Sequence, residues 1–105
     1  MKVEVLYFEG CPSHEALLPR LRTVLAETGT ASEVETRRIE SPEAAEAERF
    51  LGSPTVRVDG ADVEPGTERR EDFGLKCRLF RTRERTSPVS PDKWIRSALI
   101  RAAAG

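Results

Sequence analysis

The feature that most constrains the fold is a nearly continuous apolar run, VEVLYF, at residues 3–8. The run has the length of a strand and is rich in residues that favour strands. A strand that meets water on one face alternates apolar and polar residues, whereas a continuous run indicates a strand covered on both faces. The sequence therefore predicts a sheet flanked by helices, whose first strand ends before Gly10.

The next segments alternate between helical and strand patterns. Apolar residues recur at helical spacing after Cys11, and Gly29 follows as a stop signal. Ser41 and Pro42 have the signature of a helix N-cap and first helical position. The predicted elements are a helix over residues 11–28, a weaker strand over 32–40, a short helix through about Leu51, a strand over 54–58, an Asp59-Gly60 turn and a partner strand over 61–64.

The remaining residues carry a weaker pattern. Residues 65–85 read as irregular, with LKCRLF at 75–80 as a short strand or one helical turn, and TSPVSP at 86–91 as a loop. Ser90 and Pro91 repeat the N-cap signature, and an apolar face from Trp94 to Ala102 predicts a last helix. The order β-α-β-α-β-β-α, with an irregular segment before the last helix, predicts an α/β sandwich of one sheet between helices.

Composition excludes several classes of protein. The 105 residues fit one domain, 1–105, and 38% of them are apolar and 33% charged. Acidic residues within the apolar N-terminal segment argue against a signal peptide, so we expect a cytoplasmic protein that does not enter a membrane. Residues 66–105 hold 10 Lys and Arg against 5 Asp and Glu. These charges are interleaved and lack an aromatic-basic motif, so we expect no nucleic-acid partner.

Cys11 is the strongest candidate for a reactive residue. If Cys11 is the N-cap and Pro12 the first helical residue, the free amides of Ser13 and His14 face the sulfur. Those donors and the helix dipole favour a thiolate, which is a nucleophile and a metal ligand. The alternative is a partly buried cysteine in a small-residue position. His14 is a thiolate partner or general acid/base, or a solvated histidine at a helix start.

The chain resembles the thioredoxin-like superfamily in its element order and in four local features. Cys11 opens the first helix, and Pro19 interrupts that helix five residues after His14. GSPTVRVDG at 52–60 resembles the segment in which a cis-proline begins the third strand, and DGADVE at 59–64 resembles the hairpin that follows it. The chain is also similar to small bacterial thioredoxin-like proteins that are loosely labelled alkylmercury lyases. The resemblance covers residues 2–65 and then only the final helix.

The resemblance implies a substrate-binding role for Pro12, Ser53, Pro54 and Thr55. The Ser53-Pro54 bond is expected to be cis, which lets the strand edge pair with an extended thiol substrate. The position of the usual second cysteine is His14, so a resolving thiol must be Cys77, glutathione or another protein. Cys77 either approaches Cys11 or is an apolar member of residues 75–80.

These features predict thiol–disulfide exchange, or thiol-based reduction, by a protein that lacks a C-x-x-C motif. Cys11 is the expected attacking thiolate, and the partner is a thiol or disulfide on a protein or small molecule, without a cofactor. Two alternatives stay open. Cys11 and Cys77 together suit a soft metal ion such as mercury or copper(I), or the fold serves as a non-catalytic binding module. Three arginines, Arg57, Arg78 and Arg81, are expected on the solvated surface, with an anionic partner such as glutathione as the alternative.

Overall fold

The computed structural model describes residues 1–30 and 33–104, and it is a mixed α/β structure. Ser32, predicted to begin the second strand, lies outside the described residues. The elements, in chain order, are β1 (Val3–Tyr7), α1 (Ser13–Glu27), β2 (Val34–Arg38), α2 (Pro42–Ala47), β3 (Thr55–Val58), β4 (Ala61–Asp62), β5 (Phe80–Arg81), β6 (Thr86–Ser87) and α3 (Asp92–Ala104).

The main sheet has four strands in the order β2-β1-β3-β4. β1 pairs in parallel with β2 and antiparallel with β3, while β3 continues antiparallel into β4. The parallel pair is joined through α1, as a parallel connection requires a crossover. The Asp59-Gly60 turn has positive φ at both residues, 50° and 83°, which is the two-residue hairpin geometry that the sequence predicts.

Alternating side chains of β1 enter two separate apolar clusters. Val3 and Val5 are fully buried beneath α1 and α3, and Leu6 is buried on the side of α2. The continuous apolar run is thus explained by helices on both faces of the sheet. Within residues 1–30 and 33–104, no helix combines the length and the apolar character that crossing a membrane requires.

Helix α2 is shorter than predicted. Ser41 is its N-cap and accepts a 3.0 Å hydrogen bond from the Ala44 amide, as the sequence indicates. The helix ends at Ala47 because Arg49 adopts a positive φ of 55°, which turns the chain so that the Phe50 amide bonds the Ala45 carbonyl. Phe50, predicted to lie on the helix, is instead fully buried after it.

The second half of the chain departs further from the prediction. TSPVSP is not all loop, since Thr86–Ser87 forms β6 and pairs with β5 in a two-stranded hairpin. Helix α3 begins at Asp92, and Ser90 does not cap it as predicted. The Ser90 hydroxyl is buried and bonds nothing in the described part of the chain. The partner strand predicted over residues 61–64 is limited to Ala61–Asp62.

Candidate functional site: the Cys11–Cys77 pair

Cys11 lies in the turn between β1 and α1, one residue before the N-cap of the helix and not at the N-cap as predicted. Gly10 has a φ of +100°, which reverses the chain after the strand. Pro12, not Cys11, is the N-cap of α1, and its φ of −77° and ψ of −9° are already helical. Cys11 therefore precedes the cap and the predicted N-cap geometry is wrong, although the sulfur still lies at the helix start.

The structure brings Cys77 against Cys11. The two Sγ atoms are 3.5 Å apart, and both cysteines are free thiols. The Cys11 Sγ also donates to the Ser53 carbonyl at 3.7 Å. Cys11 is only 1% exposed, whereas Cys77 is exposed to solvent. Of the two arrangements that the sequence allowed for Cys77, the structure therefore has the one in which the sulfurs meet.

The surroundings of the pair shift the two thiol pKa values in opposite directions. Burial raises the pKa of Cys11, but hydrogen bonds to its thiolate from the Ser53 hydroxyl, the Ser13 amide and hydroxyl, and the Cys77 thiol outweigh burial, so that the net pKa lies below the ordinary value. The pKa of Cys77 is raised, first because its proton is shared with the Cys11 sulfur and then by burial. Cys11 is thus the more acidic thiol of the pair.

The Ser53 hydroxyl contributes to the ionisation of Cys11. Ser53 is fully buried, and its Oγ bonds no atom of residues 1–30 or 33–104 while Cys11 is a thiol. A buried hydroxyl without a hydrogen-bond partner destabilises the fold, and this cost is removed when a neighbouring sulfur accepts its hydrogen bond. The hydroxyl therefore favours the ionised form of Cys11.

The backbone of Ser53 is already paired with the chain's own segment 76–78. The Ser53 amide donates to the Lys76 carbonyl at 2.8 Å, and the Arg78 amide donates to the Ser53 carbonyl at 2.9 Å. Ser53 and Cys77 form a parallel bridge, and the Ser53-Pro54 bond is cis. The edge at which the resemblance implies a substrate strand is therefore occupied by residues 76–78.

Gly52 permits this close approach. Its φ is +127°, and a Cβ built on it would lie 2.9 Å from the Lys76 carbonyl oxygen and 3.1 Å from the Arg78 Cβ. Both distances are shorter than an ordinary van der Waals contact. A side chain at position 52 would therefore force segment 76–78 away from Ser53.

Arg78 holds the segment from its other side and does not lie on the surface as predicted. It is 3% exposed, forms ion pairs with Asp62 at 2.8 Å and Glu64 at 2.9 Å, and lies over the Phe80 ring. Its guanidinium also donates to the Thr55 hydroxyl at 2.9 Å. Thr55, predicted to bind substrate, is fully buried beneath this arginine.

The other two arginines differ in their exposure to solvent. The Arg57 side chain is only 13% exposed and donates to the Arg49 carbonyl at 3.2 Å, so the surface prediction is wrong for it as well. Burial lowers the pKa of Arg57, and the carboxylates of Asp62, Glu4 and Glu48 oppose that effect. Arg81 is exposed, as predicted.

His14 faces the backbone rather than the Cys11 sulfur. Its Nδ1 lies 2.8 Å from the Cys11 carbonyl oxygen, to which it donates, and its ring stacks on Tyr7 with centroids 4.2 Å apart. Pro12, which is exposed, and His14, which is partly buried, line a surface pocket of about 480 Å³ together with Glu15. His14 thus fixes the loop around Cys11, and the contacts that lower the Cys11 pKa come from serines and Cys77.

Comparisons with protein-family models, with curated proteins and with solved structures find no match to this chain. The function is therefore argued from the chemistry of the site. Across residues 1–30 and 33–104, no cluster of three or more His, Cys, Asp or Glu side chains is arranged to hold a metal ion.

Proposed function

We propose that the protein is a thioredoxin-like thiol protein that carries out thiol–disulfide exchange through Cys11 and Cys77. The observation that carries the proposal is the 3.5 Å separation of the two sulfurs. A disulfide needs about 2.05 Å between sulfurs, so closing the bond requires a movement of about 1.5 Å. The exposed cysteine lies at the surface, where such a movement displaces little of the core.

The reaction exchanges two electrons with a partner. Oxidation of the protein joins the two Sγ atoms and releases two protons, while a partner disulfide accepts the two electrons and becomes two thiols. The lowered pKa of Cys11 favours the thiolate that this exchange requires. Stabilising that thiolate also stabilises the reduced state, which makes the disulfide easier to reduce.

The element order supports the thioredoxin-like assignment. The sheet order β2-β1-β3-β4, with Cys11 between β1 and α1 and Ser53 directly before β3, brings the two expected site segments together. The second cysteine comes from segment 76–78 rather than from the helix. The proposed pair is therefore a substitute for a C-x-x-C motif, assembled from distant parts of the chain.

Free-thiol counting under a glutathione redox buffer tests the proposal. We expect the oxidised chain to lose both free thiols as a monomer, with one peptide pair joining Cys11 to Cys77, and glutathione to restore both. The variants Cys11→Ser and Cys77→Ser should each keep one thiol and form no internal link. Two thiols that persist under oxidant, or dimers joined through Cys77, would refute the exchange.

Binding of a soft metal ion is a second candidate, because the same two sulfurs form a pair of soft ligands. Titration of the reduced chain with mercury(II) or copper(I) distinguishes it from exchange. One tightly held ion per chain, lost in both serine variants and accompanied by no exchange with glutathione disulfide, would favour metal binding. Failure of both assays would leave a non-catalytic binding module.

A further inference from the structure

The two sulfurs of the pair differ sharply in access. Cys11 is 1% exposed and lies behind Ser53 and segment 76–78, whereas Cys77 is exposed. Side chains alternate along residues 78–81, with Arg78 and Phe80 buried and Leu79 and Arg81 exposed. An external thiol that approaches the oxidised pair from this outer side therefore meets Cys77 first.

We infer that the partner thiol reacts at Cys77, and that Cys11 is the internal leaving group. The inference rests on the proposed function and exchanges the roles that the sequence suggested, in which Cys11 attacks the substrate. It follows from the placement of the buried sulfur at the helix start and of the exposed sulfur on a surface segment.

The exchange proceeds in two steps. A partner thiolate attacks the Cys77 Sγ, the bond to Cys11 breaks, and its electron pair remains on the Cys11 sulfur. The product is a mixed disulfide between the partner and Cys77. A second partner thiolate attacks the partner's own sulfur, releasing Cys77, which takes up a proton. Two partner thiols become one disulfide, and the protein gains two electrons.

The contacts around each sulfur fit these roles. A disulfide breaks faster when the departing sulfur is the more stable anion. The Ser13 amide and the Ser53 hydroxyl stabilise the anion on Cys11, whereas Cys77 favours its protonated form. In the reverse direction, the Cys11 thiolate attacks a mixed disulfide at Cys77 and expels the partner.

Charge variants at Leu79 test the route of attack. Leu79 is 58% exposed and two residues from Cys77, which is about 7 Å along an extended segment. The oxidised full chain, as Leu79→Lys or Leu79→Glu, is reduced with glutathione, which is anionic, or with cysteamine, which is cationic. The matched control is Glu15→Lys, in the pocket that Cys11 lines.

We expect glutathione to reduce Leu79→Lys about threefold faster than Leu79→Glu at low salt, with the order reversed for cysteamine. Glu15→Lys should leave the ratio of the glutathione rate to the cysteamine rate at its wild-type value, because a change in the stability of the Cys11 anion affects both reductants alike. Glutathione trapped with N-ethylmaleimide should be found on Cys77, with the maleimide on Cys11.

Three results would overturn the inference while leaving exchange intact. They are reduction rates that do not depend on the charge at position 79, a change in the glutathione-to-cysteamine rate ratio in Glu15→Lys alone, and glutathione attached to Cys11. A chain that forms no internal disulfide would overturn the proposed function, and this inference with it. The two failures are therefore distinguishable.

Discussion

Replacing Gly52 with alanine is the most direct test of how the sulfur pair is assembled. The new methyl group would lie 2.9 Å from the backbone oxygen of Lys76 in a backbone conformation of φ +127° that alanine rarely adopts. The clash is with main chain and the Arg78 Cβ, so a rotamer change cannot relieve it. We expect segment 76–78 to leave Ser53 while the four-stranded sheet remains folded.

The expected effect follows from the contacts that are lost. Two backbone hydrogen bonds join Ser53 to the segment, and each contributes about 1 kcal/mol. Forming the disulfide in the variant requires the segment to dock again, so the disulfide becomes less stable by about 2 kcal/mol. For a two-electron couple this makes the reduction potential about 40 mV less negative. The backbone strain adds about 1–3 kcal/mol of global destabilisation.

Titration in glutathione redox buffers, read by alkylation and mass spectrometry, measures the potential. Gly74→Ala is the matched control, because a Cβ there meets no atom within 4 Å and Gly74 lies two residues before segment 76–78. The control should have the wild-type potential. A Gly52→Ala potential equal to that of the control would show that docking of segment 76–78 does not bring the sulfurs together.

Four further substitutions test what sets the pKa of Cys11 and what holds segment 76–78. Ser53→Ala should raise the pKa of Cys11, measured by thiolate absorbance against pH, and should cost no more than about 1 kcal/mol of stability because the lost hydroxyl is unpaired in the thiol state. His14→Ala should leave the Cys11 pKa close to that of the wild type, since its Nδ1 bonds a carbonyl; a large rise would make His14 the base. The pKa of Cys11 is lower in the folded than in the unfolded chain, so its ionisation stabilises the fold above the ordinary thiol pKa. That stabilisation is lost as the pH falls through the folded-state pKa. The stability difference between the wild type and Cys11→Ser in urea should therefore grow as pH rises through that interval, and a flat difference would contradict the shift. Arg78→Met should destabilise by about 2–3 kcal/mol in urea, less than the 3–5 kcal/mol for a fully buried pair, because the side chain of Asp62 is 11% exposed; a neutral effect would show that the ion pairs do not hold the segment.

The first half of the fold was predictable because its signals are local. The apolar run of β1 and the Asp59-Gly60 turn each depend on a few adjacent residues. The end of α2 was not, since the Ala/Glu-rich pattern continues past Ala47. The chain leaves the helix there so that Phe50 can fill the cluster beneath β1, and that tertiary packing has no sequence period.

The candidate site was likewise only partly predictable from the sequence. Cys11 before a proline and a helix is a local signal, and the sequence was sufficient to single it out. The role of Arg78 could not be inferred, because its partners Asp62 and Glu64 lie 16 and 14 residues away and look like ordinary surface charges. The apolar–polar alternation of residues 75–79 groups Arg78 with Lys76 on a polar side, whereas the structure buries Arg78 and exposes Leu79.

The order of the main sheet also has a consequence for association between copies of the chain. A strand at the edge of a sheet offers unpaired backbone groups to other strands, and charged or very short edge strands discourage that pairing. One edge is β2, whose VETRR sequence carries three charges, and the other is β4, which has two residues. Both edges are therefore poor templates, and the strongly apolar β1 lies between two neighbours. The arrangement leaves the apolar β1 without a free backbone edge, which disfavours pairing between copies of the chain.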